Sequence, residues 1–265
     1  EGVLGDFGGD DGALVFAGLR SDLGSDSGHL MVWNGASWAR VGAGFDAQVA
    51  ALAVAPDGAL WAGGEFTALG GGEPASRVAR WDGESWAQVG DGLDGEVRVI
   101  AFAPDGTPWA GGNFTGGLAT WDGSAWSVVG GGLEENATVH DLSFHDGDVY
   151  AAGWFDATAS GADARNVVRW DGAAFSELDV LDGIVVTEMQ WVGEHLFVAG
   201  LVDRLDGEFG SQIMARWDGT SWSALEGEPS DLVEDLHVYQ GALWVGGLFT
   251  GAGPHVSLGL ASYHF

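Results

Sequence analysis

The sequence contains no cysteine and no lysine. Without cysteine, the chain cannot hold a disulfide framework, a thiolate zinc site or an iron–sulfur cluster. Its nine basic residues are all arginines, against 39 aspartates and glutamates, and the formal net charge is −30 at pH 7. Such a charge disfavours binding to nucleic-acid phosphates or to an anionic membrane. We therefore expect no nucleic acid among the partners.

Long hydrophobic runs are lacking as well. No apolar segment approaches the roughly 18–20 residues that a membrane helix needs, so we expect no membrane insertion. Hydrophobic residues still make up 46% of the chain, which is too many for a disordered acidic polymer, and the charge therefore lies on a folded protein. Residues 1–5 have neither the basic nor the apolar region of a signal peptide, so we expect that any signal peptide has already been removed.

The sequence does contain an internal repeat. Its clearest copy, apolar-x-Arg-Trp-Asp-Gly-x-Ser-Trp, lies at 78–86. The first aromatic of the unit recurs at Trp33, Trp81, Trp121, Trp170, Trp217 and Tyr263. Its spacing of 40 to 49 residues is typical of a four-stranded propeller blade. We predict a single all-β domain, a six-bladed β-propeller, with blades at about 1–42, 43–90, 91–130, 131–179, 180–227 and 228–265.

The second repeat predicts four antiparallel strands, which we name a to d. They are expected at 49–55, 60–66, 78–81 and 85–90. Asp82 and Gly83 are interpreted as a two-residue type I′ turn between strands c and d, since Asp-Gly favours the positive φ angles that this turn requires. Because the last repeat ends after strand c, we expect it to be incomplete or closed by the N-terminus through residues 1–8.

Glycine pairs at the ends of the predicted b strands accompany the Trp-Asp-Gly units. They are Gly63-Gly64, Gly111-Gly112 and Gly246-Gly247, whereas Ala152-Gly153 and Ala199-Gly200 depart from the pair. This pattern resembles kelch-like repeats and the central domain of galactose oxidase, and it covers nearly the whole chain. The resemblance implies a propeller fold but not an activity, because propellers carry many unrelated functions.

The alternation of chain direction predicts two unlike faces. The a–b and c–d turns share one face, which we expect to be monotonous, while long b–c loops make the other face irregular. Variable loops on a rigid scaffold are where binding usually occurs, although these can also be tolerated insertions. The candidate ligand-binding residues on this loop-rich face are Trp154, Arg77, Arg165 and Arg204. The alternative for the arginines is ion pairing within their own loops.

Acidic residues occupy one repeated position of the a strands, which line a propeller's central channel. Aligned two residues after Val49, Val97 and their equivalents, the acids are Asp6, Asp141, Glu188 and Asp235. Converging carboxylates would bind a hard cation, and Ca²⁺ suits oxygen ligands without cysteine or histidine. We predict Ca²⁺ as cofactor, the alternatives being a hydrated acidic channel or side chains directed between blades. The histidines of His140-Asp141 and His145-Asp146, and His237, are interpreted as surface residues, because spacing along strands does not bring them together; the alternative is a transition-metal site.

The function predicted from these features is that of a non-enzymatic, secreted, calcium-binding scaffold that binds a partner, protein or glycan, through its loop-rich face. The alternatives are a Ca²⁺-dependent lactonase or phosphotriesterase and a carbohydrate-binding lectin. Copper-radical chemistry of the galactose-oxidase kind needs a cysteine, which is lacking. We expect a monomer, located in the extracellular space or the periplasm of a bacterium.

Overall fold

In the computed structural model, the structure describes residues 14–19, 28–33, 36–178, 181, 183–203 and 211–264. These residues form strands and turns, with one short 3-10 turn at Val129–Gly131 and no α-helix among them. The chain divides into two compact units, Glu1–Asn136 and Ala137–Phe265. We call them the N-terminal and the C-terminal unit.

The described residues of the N-terminal unit form three antiparallel sheets. Sheet 1 has three described strands, and sheets 2 and 3 have four strands each, paired in chain order. The strands are β1 (Leu14–Leu19), β2 (Gly28–Trp33), β3 (Trp38–Arg40), β4 (Val49–Val54), β5 (Leu60–Gly64), β6 (Val78–Trp81), β7 (Trp86–Gln88), β8 (Glu96–Phe102), β9 (Pro108–Asn113), β10 (Leu118–Trp121) and β11 (Trp126–Val128). Trp33 opposes Trp38 as Trp81 opposes Trp86, so β1 to β3 correspond to strands b to d.

In the C-terminal unit, the part of the chain that the structure describes also forms three main sheets. Sheets 4 and 5 have four strands each, whereas sheet 6 has three strands and a separate two-stranded hairpin. The strands are β12 (Thr138–His145), β13 (Asp148–Trp154), β14 (Val167–Trp170), β15 (Phe175–Glu177), β16 (Gly183–Val192), β17 (His195–Asp203), β18 (Ser211–Trp217), β19 (Trp222–Ala224), β20 (Val233–Tyr239), β21 (Ala242–Gly247), β22 (Gly251–Ala252), β23 (His255–Val256) and β24 (Leu260–His264). Each sheet falls inside one predicted blade segment. Closure of the last sheet by residues 1–8 lies outside the described residues.

The turn between strands c and d is longer than the sequence analysis predicted. Trp81 pairs with Trp86, so the loop has four residues, and strand d begins at Trp86. Asp82 explains the length, because its Oδ1 accepts hydrogen bonds from the backbone N–H groups of Glu84 and Ser85 at 2.9 and 2.8 Å. Only Gly83 has a positive φ, of 103°, whereas a type I′ turn needs two such residues. The same side-chain cap recurs at Asp122, Asp171 and Asp218.

The a–b turns differ between the two units, so the prediction of a monotonous face is wrong. In sheets 2 and 3 the turns are five residues long and carry Pro-Asp-Gly, between Val54 and Leu60 and between Phe102 and Pro108. In sheets 4, 5 and 6 they have two residues, as in Asp146-Gly147 between the paired His145 and Asp148. In the C-terminal unit, the end of strand a therefore lies directly beside the tip of the a–b hairpin.

Aromatic pairs hold the c–d hairpins and link neighbouring sheets. Trp81 and Trp86 have ring centroids 5.5 Å apart, and sheets 1, 3, 4 and 5 repeat the contact at 4.8 to 5.6 Å. The Nε1–H of Trp86 donates to the carbonyl of Val41, at the end of the preceding sheet, over 3.0 Å. Such aromatic pairs contribute about 1 kcal/mol each beyond burial of their area. Most of the tryptophans therefore serve packing.

Candidate functional site

Every described a strand contains a β-bulge at the same place. The register with strand b skips one residue directly after a buried valine, as between Val139 and Asp141 in β12. The residues that follow the bulge are Ala51, Val99, Asp141, Glu188 and Asp235. The acids singled out in the sequence thus occupy equivalent backbone positions. Asp6, the fourth, lies outside the described residues.

The glycine at the end of strand b is required by this bulge. A Cβ at Gly153 would lie 2.0 Å from the carbonyl oxygen of Thr138, and one at Gly247 would lie 2.2 Å from that of Leu232. No side chain fits at such distances, because the backbone of strand a passes directly over the glycine. The preceding glycine is not under this constraint, and Ala152 or Ala199 replaces it in sheets 4 and 5.

Asp141 links sheet 4 to sheet 5. One carboxylate oxygen, Oδ1, accepts a hydrogen bond from the backbone N–H of Leu142, and Oδ2 accepts one from the N–H of Met189, each over 2.7 Å. Met189 lies on β16, in the neighbouring sheet. This is the arrangement between sheets that the sequence analysis kept as an alternative. Glu188 is half-buried and Asp235 is exposed.

The three described acids do not by themselves form a shared cation site. Among the described residues, Asp141, Glu188 and Asp235 are not a set whose ligand atoms all lie within 4.8 Å of one another. A calcium ion needs six to eight oxygen ligands at about 2.4 Å. An ion at this position would therefore need further donors, and calcium stays a prediction.

The residue after the strand-b glycine distinguishes sheets 2 and 3 from the C-terminal unit, whereas sheet 1 has the apolar Leu19 at this position. In sheets 2 and 3 it is polar, Glu65 and Asn113, and in the C-terminal unit it is apolar, Trp154, Leu201 and Leu248. Trp154 is 54% exposed and Leu248 is 64% exposed. Trp154 is thus exposed at the end of β13, and its role in ligand binding stays a prediction.

Among the described residues, several exposed apolar side chains of this face lie in sheet 6. Backbone hydrogen bonds join Gly259 to Phe249 and Ser257 to Thr250, so the segment around Leu258 runs beside Leu248. We call the exposed side chains of this region the sheet 6 patch, and its residues are Leu248, Val256, Leu258 and Leu260. Among the described strands, β24 pairs with β21 alone, whereas strand c of sheets 2 to 5 also pairs with strand d.

A cavity of about 420 Å³ lies beside β24. Its lining includes the loop residues Glu226 and Gly227, the β22–β23 hairpin and Tyr263. The phenol of Tyr263 donates a hydrogen bond to the carbonyl oxygen of Gly227 over 2.7 Å. Burial, and then the negative charge of Glu228, raise the pKa of Tyr263 to about 12, so the hydroxyl remains a donor at neutral pH.

Two of the candidate arginines lie on described b–c loops at positions that are not equivalent. Ser76 and Arg165 each donate a backbone N–H to a strand-d side chain, which makes Arg165 the counterpart of Ser76. Arg77 instead matches Asn166, and both have positive φ angles, 71° and 57°. The Arg77 guanidinium donates to the carbonyl of Glu65. Arg204 lies outside the described residues.

Arg165 lines a second cavity, of about 370 Å³, on the loop-rich face of sheet 4. The other lining residues are Asp156, Ala157, Asp163, Asn166 and Gly183. Asn166 is buried and donates from Nδ2 to the carbonyl oxygen of Leu181 over 3.2 Å, which fixes the base of the loop. The cavity is therefore polar, with one arginine beside two aspartates.

Solved structures that resemble this chain have one architecture in common. The extracellular domain of a hybrid two-component system from B. thetaiotaomicron matches 99% of this chain and 32% of its own, with 11% identity and a TM-score of 0.67. The match to virginiamycin B lyase from Staphylococcus aureus covers 100% of this chain and 84% of the lyase chain, with 11% identity and a TM-score of 0.66. The match to the WD40 propeller domain of Doa1 covers 98% of this chain and 91% of the Doa1 chain, with 14% identity and a TM-score of 0.53. The fold is a β-propeller.

The likeness to these propellers extends to the fold alone, because the sequence identities are low. This chain spans about a third of that extracellular domain, and the matched propellers include both enzymes and scaffolds. No known family profile matches the sequence, and no curated protein is similar to it. The kelch-like type of the repeat therefore stays a prediction. The described part of the propeller holds no helix with the length and hydropathy that a membrane crossing requires.

His145-Asp146, interpreted from the sequence as surface residues that share no site, belongs to one group of side chains with Glu194. His145, Asp146 and Glu194 place their ligand atoms within 4.8 Å of one another, so this group can hold a metal ion. Glu194 belongs to the next blade, and pairing along one strand could not reveal it. The signal in the sequence was the presence of short turns after β12 and β16, which carry His-Asp-Gly and Gly-Glu.

Proposed function

We propose that this chain is a non-enzymatic, secreted propeller scaffold that binds a protein partner through the loop-rich face of its C-terminal unit. The sheet 6 patch carries the proposal, since Leu248, Leu258 and Val256 are 64%, 84% and 88% exposed. Single exposed apolar residues are ordinary on soluble proteins, whereas neighbouring ones mark an interaction surface. Secretion is part of the proposal, consistent with a resembling propeller that is an extracellular domain.

The fold itself does not require this exposure. The first residue of strand c is buried in sheets 2, 3 and 4, at Val78, Leu118 and Val167. Its counterpart in sheet 6, Leu260, is 56% exposed, although it pairs with Gly246 in the same way. Sheet 6 thus exposes an apolar side chain at a position that sheets 2, 3 and 4 bury, and a bound partner would cover it.

Charge indicates the kind of partner. The chain carries a net charge of −30, and Glu226 lines the cavity beside the patch. A protein segment with apolar side chains flanked by arginine or lysine would complement this surface, and the acidic field would accelerate its association. We therefore propose a basic, apolar segment of a protein as the bound element.

Peptide selection tests the proposal. A random-peptide display library should yield binders with apolar residues beside Lys or Arg. Leu258→Ser and Leu248→Ser should weaken those binders at least about tenfold, a loss of about 1.4 kcal/mol of binding free energy. Val128→Ser is the matched control, because Val128 is 42% exposed but belongs to the N-terminal unit. Equal binding by the patch variants and the control would contradict the proposal.

A glycan is the second candidate ligand, and one observation favours it. Trp154 is 54% exposed and lies two residues before Asp156, which lines the polar cavity of sheet 4. An exposed aromatic ring two residues from a cavity that is lined by carboxylates, an amide and an arginine suits a sugar. Binding on a glycan array that Trp154→Ala abolishes and Leu258→Ser leaves unchanged would establish the lectin alternative instead.

Calcium remains a separate element of the proposal, with Asp141, Glu188 and Asp235 as its described ligands. Their carboxylate oxygens suit Ca²⁺ chemically, but both oxygens of Asp141 already accept backbone hydrogen bonds. Elemental analysis before chelation, with melting curves in EDTA and in Ca²⁺, tests this element. Absence of bound calcium together with unchanged melting would remove it, and with it the metal on which the lactonase alternative depends.

A further inference from the structure

The turns after β12 and β16 bring side chains of two neighbouring sheets together. His145 ends β12 and pairs with Asp148, and the two-residue turn between them consists of Asp146 and Gly147, with φ of 52° and 88°. In the next sheet, Glu194 belongs to the two-residue turn between the paired Val192 and His195. Both turns join strand a to strand b, so they lie on the face opposite the loop-rich one.

The three polar groups converge on a small volume. His145 Nε2 lies 3.7 Å from Asp146 Oδ2 and 3.8 Å from Glu194 Oε2. All three atoms lie within 4.8 Å of one another. Ligands around a tetrahedral Zn²⁺, at bond lengths of about 2.0–2.2 Å, are about 3.4 Å apart. The two histidine–carboxylate distances exceed this spacing by only a few tenths of an ångström, and both carboxylates are exposed and able to adjust.

Trp191 holds the imidazole in place. The rings of His145 and Trp191 are stacked, with centroids 3.8 Å apart and an angle of 5° between their planes. Tyr150 packs edge-on against the same indole at 5.0 Å. The His145 side chain is consequently only 20% exposed, whereas those of Asp146 and Glu194 are 81% and 85% exposed. The site combines one fixed nitrogen donor with two adjustable oxygen donors.

We propose that His145, Asp146 and Glu194 bind a divalent transition metal ion of the Zn²⁺ class, with water completing its coordination. Imidazole nitrogen favours zinc, copper and nickel over calcium and magnesium, which distinguishes this trio from the many acidic pairs of the surface. The ion would tie the hairpin tips of sheets 4 and 5 together. The proposal does not depend on partner binding.

Calorimetric titration of the chelator-treated full chain with Zn²⁺ tests the site. An excess of Ca²⁺ occupies the general acidic surface, and we expect one Zn²⁺ per chain under that condition. His145→Ala and Glu194→Gln should each lower the affinity at least about tenfold. The controls are His237→Ala and Asp231→Asn, exposed residues elsewhere in the C-terminal unit, which should bind Zn²⁺ as the wild type does.

Fluorescence supplies an independent readout. Cu²⁺ bound at His145 would lie next to Trp191 and quench its emission, so titration should show a saturable loss of fluorescence. Trp191→Phe should remove this component while one Zn²⁺ still binds. The proposal is overturned if no saturable Zn²⁺ binding occurs in the presence of Ca²⁺. It is also overturned if His145→Ala and Glu194→Gln both bind Zn²⁺ as tightly as the wild type, which would leave only a surface ion pair.

Discussion

The two units are built from one repeat, yet they differ in their described a–b turns and in residues at the ends of their b strands. Their strands, bulges and Trp hairpins coincide, whereas the a–b turns are five residues long in sheets 2 and 3 and two residues long in sheets 4 to 6. On the opposite face, Glu65 and Asn113 stand where the C-terminal unit has Trp154 and Leu248.

The sheet 6 patch and the group of His145, Asp146 and Glu194 both lie in the C-terminal unit. The long turns of the N-terminal unit use their aspartates locally, since Asp57 accepts from the backbone of Ala59 and pairs with Arg80 over 2.8 Å. The short turns of the C-terminal unit bring His145 and Glu194 into a shared group instead. A repeat scaffold thus acquires specific sites where single blades depart from the consensus of the repeat. Substitutions at those positions distinguish effects on a site from effects on the scaffold.

The largest expected effect concerns the feature that both units share. Gly247→Ala would put a Cβ 2.2 Å from the carbonyl oxygen of Leu232, and Gly64→Ala would put one 2.1 Å from that of Gln48. Because the crowding atom is backbone, each substitution should lower the free energy of unfolding by about 3 kcal/mol, measured by urea denaturation.

The neighbouring glycines provide the control and a contrast between the units. A Cβ at Gly246 meets nothing closer than 3.9 Å, so Gly246→Ala should be neutral or slightly stabilising. Gly63→Ala should still destabilise, because its Cβ would approach Val97 Cγ1 at 2.5 Å. Equal effects of Gly246→Ala and Gly247→Ala would contradict the assignment of the bulge as the cause.

The next largest effect concerns the link between sheets 4 and 5. Asp141→Ala removes the acceptor of the Met189 N–H and should lower the free energy of unfolding by about 2 kcal/mol. Asp235→Ala, at the equivalent but exposed position of sheet 6, should change it by less than about 0.5 kcal/mol. Sheet 2 already has Ala51 there.

Chelation separates a structural Asp141 from a calcium ligand. If the loss in Asp141→Ala persists unchanged in EDTA, the carboxylate acts through the Met189 hydrogen bond. A loss that disappears in EDTA would show instead that the wild type depends on a bound metal at Asp141, and it would revive the predicted calcium site. The loss of stability in Asp141→Ala is measured with and without EDTA by thermal unfolding of the full chain.

Much of the fold could be predicted from the sequence because the repeat marks it directly. The Trp-Asp-Gly units fixed strands c and d, and the alignment on Val49 and Val139 placed the acids at positions that the registers show to be equivalent. The four-residue turn was missed because Asp82 caps the backbone with its side chain, an interaction that the Asp-Gly dipeptide does not distinguish from a type I′ turn.

The candidate site was less predictable because it depends on contacts between blades. Equivalence of Asp141, Glu188 and Asp235 does not set where their side chains point, and the Met189 N–H captures the first of them. The trio of His145, Asp146 and Glu194 joins two turns from different sheets, which no spacing along the chain specifies. Repeats reveal what the blades share, whereas a site depends on what neighbouring blades do not share.

The smallest expected effect concerns the aspartate caps that are common to both units. Hydrogen bonds from the Ser221 N–H, then the Thr220 hydroxyl and N–H, lower the pKa of Asp218 from 3.8 to about 2. A lowered pKa in the folded state contributes stability above about pH 4, and that stability is lost as the pH falls towards 2. Asp218→Asn cannot titrate, so the stability difference between wild type and variant should shrink over that range.

The difference between the two proteins is the proper measurement, because acid also relieves the repulsion among the other carboxylates of a chain with net charge −30. Chemical denaturation from pH 6 to pH 2 supplies it. Asp82→Asn should behave in the same direction, since the backbone N–H groups of Ser85 and Glu84 lower the pKa of Asp82. A stability difference that stays constant down to pH 2 in either variant would show that the capping carboxylate contributes through its shape and not through its charge. In that case the negative charge of the capping aspartate would add nothing to the stability of the turn.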